Sequence, residues 1–238
     1  LFEAIRKATT KISRKIYFPH TRLIVIGENL AREDGVKAFL DWFERDHEFR
    51  TNVELVVARG ISAESIIQFQ SSLERISANK IADQLETSEK AWGENVVVQL
   101  GDVLNSLIGN GKEVVISGVS FTGKVEEARN AENLMKSIPP GQLAAQGIGV
   151  FKDGKLIEWL DHGDARGFNW ITDNIQSTII NLACENEDQK RIAIEIIRSN
   201  TSIHTNVEGD IPKIKIQVNA EGNIGEVNCP IDLMNVET

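Results

Sequence analysis

The segment Gly118–Lys124 has the GxxxxGK spacing of phosphate-binding loops and falls between a predicted strand and a predicted helix. In such loops the backbone N–H groups surround a phosphate and the lysine neutralises its charge. The next residue is Val125, so the hydroxyl that would hold Mg²⁺ is absent, and Phe121 is bulky for a loop that wraps a phosphate. The residues therefore favour a strand-exit loop, and a phosphate- or nucleotide-binding α/β protein remains as the alternative function.

Two charged residues, Glu28 and Arg59, each come just after a predicted strand. In an open parallel sheet, ligands bind at the carboxyl ends of the strands. The two side chains are thus candidates to face each other across a small pocket, which would suit an amino acid or a sugar. The favoured interpretation is instead that Glu28 or Asn29 caps the following helix and that Gly60 forms a turn. No GxGxxG motif is present, which argues against dinucleotide binding.

The other residues capable of chemistry do not form a metal or catalytic pattern. The four histidines are far apart, without HxxxH or HExxH spacing: His20, His47, His162 and His204. Asp161, His162 and Asp164 form a small polar cluster, for which a solvated turn is favoured over a metal site. Cys184 and Cys229 are too few for a zinc site, and two buried free thiols are expected, although a disulfide would form if their strands were adjacent. We predict no catalytic residue, no metal site and no cofactor.

A strand–helix–strand unit positions the first candidate residues. The apolar runs 22–26 and 53–57 read as strands, and the helix between them has a buried stripe formed by Val36, Phe39, Leu40 and Phe43. On its exposed surface, Asp41–Arg45 and Asp46–Arg50 are spaced four residues apart and can pair. We expect these pairs to be structural ties or part of a partner surface. If the pairs are structural ties, Arg45 and Arg50 fix the helix against the following strand.

Three helical segments are predicted in the middle of the chain: a polar one over about 62–90, one with a strong apolar stripe from Val96 to Ile108, and one over about 124–136. From residue 141 onward the hydrophobic period changes from that of helices to that of strands. The runs 148–151 and 156–160 flank Asp153-Gly154, a hairpin signal, and later segments such as 192–196 and 214–218 alternate apolar with polar residues. Alternation indicates a mainly antiparallel sheet with one solvated face. The residues Ala220 to Asn223 are predicted to form the turn into the last strand. We therefore predict an α+β fold with two domains, an N-terminal α/β domain over 1–140 and a smaller strand-rich domain over 141–238.

The net charge and the hydropathy of the chain argue against several classes of function. The net charge is −9, from 26 basic and 35 acidic residues, which argues against nucleic-acid binding and against a polybasic membrane surface. No apolar stretch approaches the ~20 residues that span a bilayer. The chain begins at Leu1 inside a helical pattern, so a fragment of a longer protein is expected.

Two stretches of the chain contain the motifs of one protein family. The residues that match in the first stretch are His20, Ile26-Gly27-Glu28, Leu30-Ala31, Gly35, Asp41, Arg45-Asp46, Arg50 and Val57-Ala58-Arg59-Gly60. The second is GIGVFKDGKLIEWLDHGDARGFNW at 147–170, with a Gly-x-x-Val-Phe-Lys hairpin and a following Arg-Gly-x-x-Trp. In these motifs and in their order, the chain resembles the C subunits of bacterial spore germinant receptors, the Ger(X)C family. The two stretches together cover about a third of the chain.

The resemblance implies a non-enzymatic lipoprotein that serves as a scaffold or coupling component. Members of the family associate with two membrane-embedded subunits, A and B, on the outer face of the inner spore membrane. They are attached through an N-terminal lipid anchor, whose cysteine this sequence lacks, as it lacks a C-terminal domain of the family. The complex responds to nutrients and starts germination. The resemblance makes Glu28, Asp41, Arg45, Asp46, Arg50 and Arg59 candidates for a partner or ligand surface.

Overall fold

The structure is a computed structural model that describes residues 2–13, 18–45, 49–70, 76–109, 111–125, 141–184, 187–208 and 211–229. The helices are α1 (Phe2–Ala8), α2 (Glu28–Glu33), α3 (Lys37–Arg45), α4 (Ala63–Ile67), α5 (Ser77–Ala91), α6 (Leu100–Ile108) and α7 (His162–Ile171). The strands are β1 (Leu23–Gly27), β2 (Glu54–Ala58), β3 (Val115–Gly123), β4 (Gly141–Lys152), β5 (Lys155–Leu160), β6 (Thr178–Cys184), β7 (Glu187–Glu208) and β8 (Ile211–Val227).

The predicted α+β class is confirmed, and the chain forms two compact units. The first comprises 1–86 and 95–162 and contains a five-stranded mixed sheet in the order β1-β2-β3-β4-β5. Its first three strands are parallel, and β4 and β5 are antiparallel to their neighbours. The second comprises 87–94 and 163–238 and contains the antiparallel sheet β6-β7-β8. The domain boundary predicted between 140 and 141 stays a prediction.

The five-stranded sheet is covered on both faces. Strand β2 is buried along its whole length, which explains its continuous apolar run. Because side chains alternate along a strand, Leu55 and Val57 join one core cluster while Val56 and Ala58 join the other. The first cluster includes apolar residues of α3 and α6, and the second includes residues of α4 and α5. The stripe predicted for α3 is thus packed against the sheet, and the carboxyl ends of β1 and β2 are fixed side by side.

Several predicted element boundaries were wrong. The helical region predicted over 62–90 is two helices, α4 and α5. The helix predicted from Val96 begins at Leu100, because the Asp102 carboxylate accepts a hydrogen bond from the Gln99 N–H at 3.1 Å and caps it there. The turn predicted at 220–223 lies inside β8, where pairing with β7 continues across a register shift. The helix predicted over 124–136 lies almost wholly outside the described residues.

The predicted hairpin at Asp153-Gly154 is confirmed. Both residues have positive φ, 53° and 81°, which two-residue turns of this type require. A solvated turn was predicted after this hairpin at 161–164, but helix α7 begins at His162 instead.

The expectation of two free thiols was wrong, because Cys184 and Cys229 form a disulfide with their Cα atoms 6.4 Å apart. Their strands are not neighbours, since β7 lies between β6 and β8. Cys184 ends β6 and Cys229 follows β8, so the bond joins the two outer strands at the end where β7 begins.

Candidate functional site

Five polar or aromatic side chains meet at the carboxyl ends of β1 and β2: Glu28, Arg32, Arg59, Trp159 and Asp161. We call this group the strand-end network. Glu28 is the first residue of α2, directly after β1, and Arg59 directly follows β2. Trp159 lies near the end of β5 and Asp161 follows that strand. The network therefore connects the first two parallel strands with the last strand of the same sheet.

Arg59 and Asp161 form a two-pronged ion pair at the centre of this network. Arg59 Nη2 donates to Asp161 Oδ2 at 2.7 Å, and Nη1 donates to Oδ1. The guanidinium also donates to the Gln146 carbonyl at 3.3 Å and lies 4.6 Å from the centroid of the Trp159 ring. The Arg59 side chain is only 20% exposed. The hydrogen bonds from Arg59 lower the pKa of Asp161, and the same contact raises the pKa of Arg59, so both groups are charged at neutral pH.

The Glu28 carboxylate joins three elements. It accepts hydrogen bonds from Trp159 Nε1 at 3.0 Å, from the Gly60 N–H at 2.9 Å and from Arg32 Nε at 3.0 Å. Burial alone would raise the pKa of Glu28, but these hydrogen bonds together hold it below its ordinary value. Glu28 is therefore an anion that links α2, the turn after β2 and strand β5.

The predicted pocket is present in part. An open cavity of about 460 Å³ beside Glu28 is lined by Gly27, Glu28, Asn29, Gly60, Ile61, Ser62 and Ala63. Arg59 is near enough for the Glu28 charge to raise its pKa, yet it pairs with Asp161 and is not among the lining residues. The predicted turn at Gly60 is present, with φ of 67°. The predicted capping of α2 by a side chain was wrong, since the residue before the helix is Gly27 and no side chain caps it.

Sequence reasoning missed Trp159 and Asp161 as members of the site. Asp161 was assigned to a solvated turn, although it is the first residue after a strand that ends beside Arg59. Trp159 was the signal that could have been used. A tryptophan that is partly buried needs a hydrogen-bond acceptor for its indole N–H, so an acidic side chain near the end of β5 could have been expected. Neither residue could be assigned to Glu28 or Arg59 without knowing that β5 belongs to the same sheet as β1 and β2 and ends at the same end of it.

The structure contradicts the alternative of a phosphate-binding loop. Gly118–Gly123 lies within strand β3, where Gly118 pairs with Val57 and the following residues pair with β4. An extended, paired backbone cannot surround a phosphate, and the strand-exit loop predicted here is likewise absent. Gly118 is required by packing, since an added Cβ would lie 2.5 Å from the Gln146 carbonyl oxygen and 2.7 Å from the Trp159 ring.

The predicted Asp41–Arg45 pair on α3 is present. Arg45 Nε donates to Asp41 Oδ2 at 3.0 Å and Nη2 donates to Oδ1 at 3.1 Å, with side chains 76% and 55% exposed. The hydrogen bond from Arg45 lowers the pKa of Asp41. Asp46 lies outside the described residues, and Arg50 is exposed. The roles predicted for these four residues remain predictions.

An aromatic cluster packs the end of α3 against the chain that leads into β2. Phe43 and Phe49 have ring centroids 4.5 Å apart, and Trp42 and Phe18 complete the cluster. These rings connect α3 with the chain that leads into β2.

Within the described ranges, no group of three or more His, Cys, Asp or Glu side chains is placed to hold a metal ion. His204, on strand β7, is exposed. None of the described helices has the length and hydropathy needed to cross a bilayer.

We expect Arg59→Ala to lower the free energy of unfolding by about 1–3 kcal/mol, because it leaves the Asp161 carboxylate and the Gln146 carbonyl without their donor. Arg22→Ala is the matched control. It removes an ion pair with Asp83 whose side chains are 39% and 54% exposed, and should cost at most about 1 kcal/mol. Urea denaturation followed by circular dichroism measures both. Equal losses would contradict a structural role for the Arg59 pair.

The loss of unfolding free energy caused by Arg59→Ala should also depend on pH. Because the folded pKa of Asp161 is lowered, its contribution to stability is fully present above the ordinary aspartate pKa of about 3.9. This contribution is lost as the pH falls through the lower pKa that Asp161 has in the folded protein. The difference in unfolding free energy between wild type and Arg59→Ala should therefore be constant near neutrality and shrink below about pH 4. A difference that stays the same at pH 3 would show that the ion pair is not its source.

Comparisons with known proteins agree on one family. The family model described as "Spore germination protein N-terminal domain" matches residues 1–121, and "Spore germination B3/ GerAC like, C-terminal" matches 146–238. Spore germination protein KC of Bacillus subtilis (strain 168) is 35% identical over 232 residues, which cover 97% of this chain and 57% of that protein. Spore germination protein B3 of the same organism is 24% identical, over 96% of this chain and 57% of that protein.

A solved structure shows the same fold. The crystal structure of the GerBC protein matches 94% of this chain and 59% of its own, with a TM-score of 0.63 and 22% identity. The present chain thus spans a little under three fifths of the length of these curated relatives and of the solved protein.

Proposed function

The chain belongs to the family of spore germinant receptor C subunits, and from this we propose that it acts in nutrient-triggered germination as a non-enzymatic scaffold or coupling component. The observation that carries the proposal is the match of two family models, in order, over 1–121 and 146–238. In this proposal the full-length protein is held at the outer face of the inner spore membrane by an N-terminal lipid anchor. Its partners are the membrane-embedded A and B subunits.

The strand-end network supports a scaffold role. Arg59 and Asp161 are held as charged groups by their hydrogen bonds to each other, and Glu28 is held as an anion by the Gly60 N–H and Trp159 Nε1. Their lowered carboxylate pKa values and raised arginine pKa suit permanent ion pairs, whereas a general acid or base works best with a pKa near the operating pH. We propose that the network fixes the edge of the sheet, and that nutrient recognition, if this subunit takes part, uses the open cavity next to Glu28.

Copurification tests the proposed assembly. The full-length protein, tagged and expressed from its own locus, should bring down the A and B subunits from detergent-solubilised spore membranes. The control is an unrelated spore lipoprotein with the same tag. Recovery of the full-length protein without either subunit, under conditions that preserve other membrane complexes, would contradict the proposal.

The exposed Asp41–Arg45 pair is the surface that we propose for partner contact. Asp41→Arg and Arg45→Asp should each reduce copurification of the other subunits several-fold, because each reverses a charge presented to the partner. The thermal midpoint should hardly change, since both side chains are exposed. Arg198→Asp is the matched control, an arginine 80% exposed and paired with Glu221 in the other unit. Normal copurification for both α3 variants would exclude this surface and leave the assembly itself untouched.

A further inference from the structure

The three-stranded sheet of the second unit has an inner face that helix α7 and the segment after it cover in part. The Thr201 N–H donates to Asp173 Oδ1 at 2.6 Å, and the Thr201 hydroxyl donates to the Trp170 carbonyl at 2.6 Å. The Ser199 hydroxyl donates to the Ile175 carbonyl at 2.8 Å. Ser199 and Thr201 therefore mark the side of β7 that faces the rest of the unit. Ile196, which is 5% exposed, is on the same side, because the register shift between Ile196 and Arg198 adds a residue.

Beyond Thr201 this face continues along two long strands. We call residues 201–208 with 211–218 the distal ribbon. Residues directly opposite in an antiparallel pair share a face, and the pairs on the inner face are Thr201–Val218, Ile203–Ile216, Thr205–Ile214 and Val207–Pro212. The pairs of the other face are Ser202–Gln217, His204–Lys215, Asn206–Lys213 and, at the tip of the ribbon, Glu208–Ile211, in which Ile211 is the one apolar residue. The distal ribbon is therefore apolar on its inner face and polar on its outer face.

The apolar side chains of the inner face are largely exposed. The exposed fractions are 49% for Ile203, 68% for Val207, 66% for Ile214, 44% for Ile216 and 43% for Val218. A two-stranded ribbon is marginally stable in water and needs a further strand or a packed layer on its apolar face. A contiguous exposed apolar face rimmed by polar residues marks a contact surface. The alternation along both strands thus suits burial by something outside the described residues.

The length of the relatives indicates what provides this cover. Alignments that use 96–97% of this chain account for 57% of the curated relatives, and 59% of the solved GerBC chain is matched. We infer that the inner face of the distal ribbon is an intramolecular docking surface, covered in the full-length protein by a part of the same polypeptide outside these 238 residues. The face continues the one that α7 covers within the unit, which is the geometry of a core that a further layer completes. This inference does not depend on the proposed role in germination.

Two neighbouring substitutions in the full-length protein test this inference. Ile216→Lys places a charge on the inner face, whereas Gln217→Lys places the same charge on the outer face of the same strand. If the inner face is covered, Ile216→Lys should lower the thermal midpoint of the monomer by about 5 °C or more, because a lysine is then buried without a partner. Gln217→Lys should leave it within about 2 °C, as surface substitutions do.

A second measurement is needed in case Ile216→Lys fails to fold. Carbene footprinting of the wild-type full-length monomer reports directly how exposed each side chain is. Ile214 and Ile216 should label several-fold less than Ile108, which is 71% exposed on α6. Labelling of Ile214 and Ile216 as strong as that of Ile108, with equal midpoints for the two lysine variants, would overturn the inference. A dimer that Ile216→Lys dissociates would overturn it in favour of a second copy. An unchanged midpoint with loss of copurified subunits would overturn it in favour of a partner subunit.

Discussion

Gly147→Ala is expected to lower the free energy of unfolding by about 3 kcal/mol or more, because it both strains the backbone and displaces the strand-end network. Gly147 has φ of 73°, a conformation that side chains with a Cβ rarely adopt. An added Cβ would lie 2.7 Å from Arg59 Nη1, 2.7 Å from Asp161 Oδ1 and 2.8 Å from the Leu160 carbonyl oxygen. The methyl group would therefore separate the ion pair or move strand β5.

Gly60→Ala is the matched control for this substitution. Gly60 has a similar φ of 67°, but no atom lies within 4 Å of the position of an added Cβ. Its replacement should cost only the backbone term, about 1–2 kcal/mol. Urea denaturation of both variants, with wild type alongside, gives the two losses. If Gly147→Ala cost no more than Gly60→Ala, the crowding around the Arg59–Asp161 pair would not be important for stability.

Replacing both Cys184 and Cys229 with serine is expected to lower the stability of the second unit by about 2–4 kcal/mol. The bond joins residues 45 apart in sequence, and its loss lets the unfolded chain explore many more conformations. It also frees the ends of the two outer strands of the β6-β7-β8 sheet. Thermal unfolding with and without a reducing agent measures the effect.

The reducing agent supplies the internal control for the disulfide. It should lower the midpoint of the wild-type protein toward that of the double serine variant and leave the variant unchanged. A wild-type midpoint that matches the variant's before reduction would show that the disulfide does not stabilise the folded protein.

The parts of the fold that were predictable from sequence are those set by local periodicity. Strands β1 and β2 and helix α3 followed from apolar runs and a helical stripe, and the β4–β5 hairpin followed from Asp153-Gly154. These signals lie within a few residues of the structures they specify. The long β7–β8 pairing was only partly predictable, because a turn signal at 220–223 is overridden by pairing with β7.

The candidate site was predictable only one residue at a time. Glu28 and Arg59 were found because each follows a strand, but their partners come from much later in the chain. Arg59 and Asp161 are 102 residues apart, and their contact depends on where β5 lies in the sheet. Gly118 shows that a local motif can also mislead. It belongs to a spacing typical of phosphate loops, but a glycine is needed there because it packs closely against Trp159.

We propose that this chain is part of a C subunit that nutrient-triggered germination requires. The most direct test is nutrient-triggered release of dipicolinate from spores of the native host that lack the gene. Release in response to one nutrient or nutrient mixture should be lost, and the full-length gene should restore it. Normal release with every nutrient, in a host without a redundant receptor, would contradict this role.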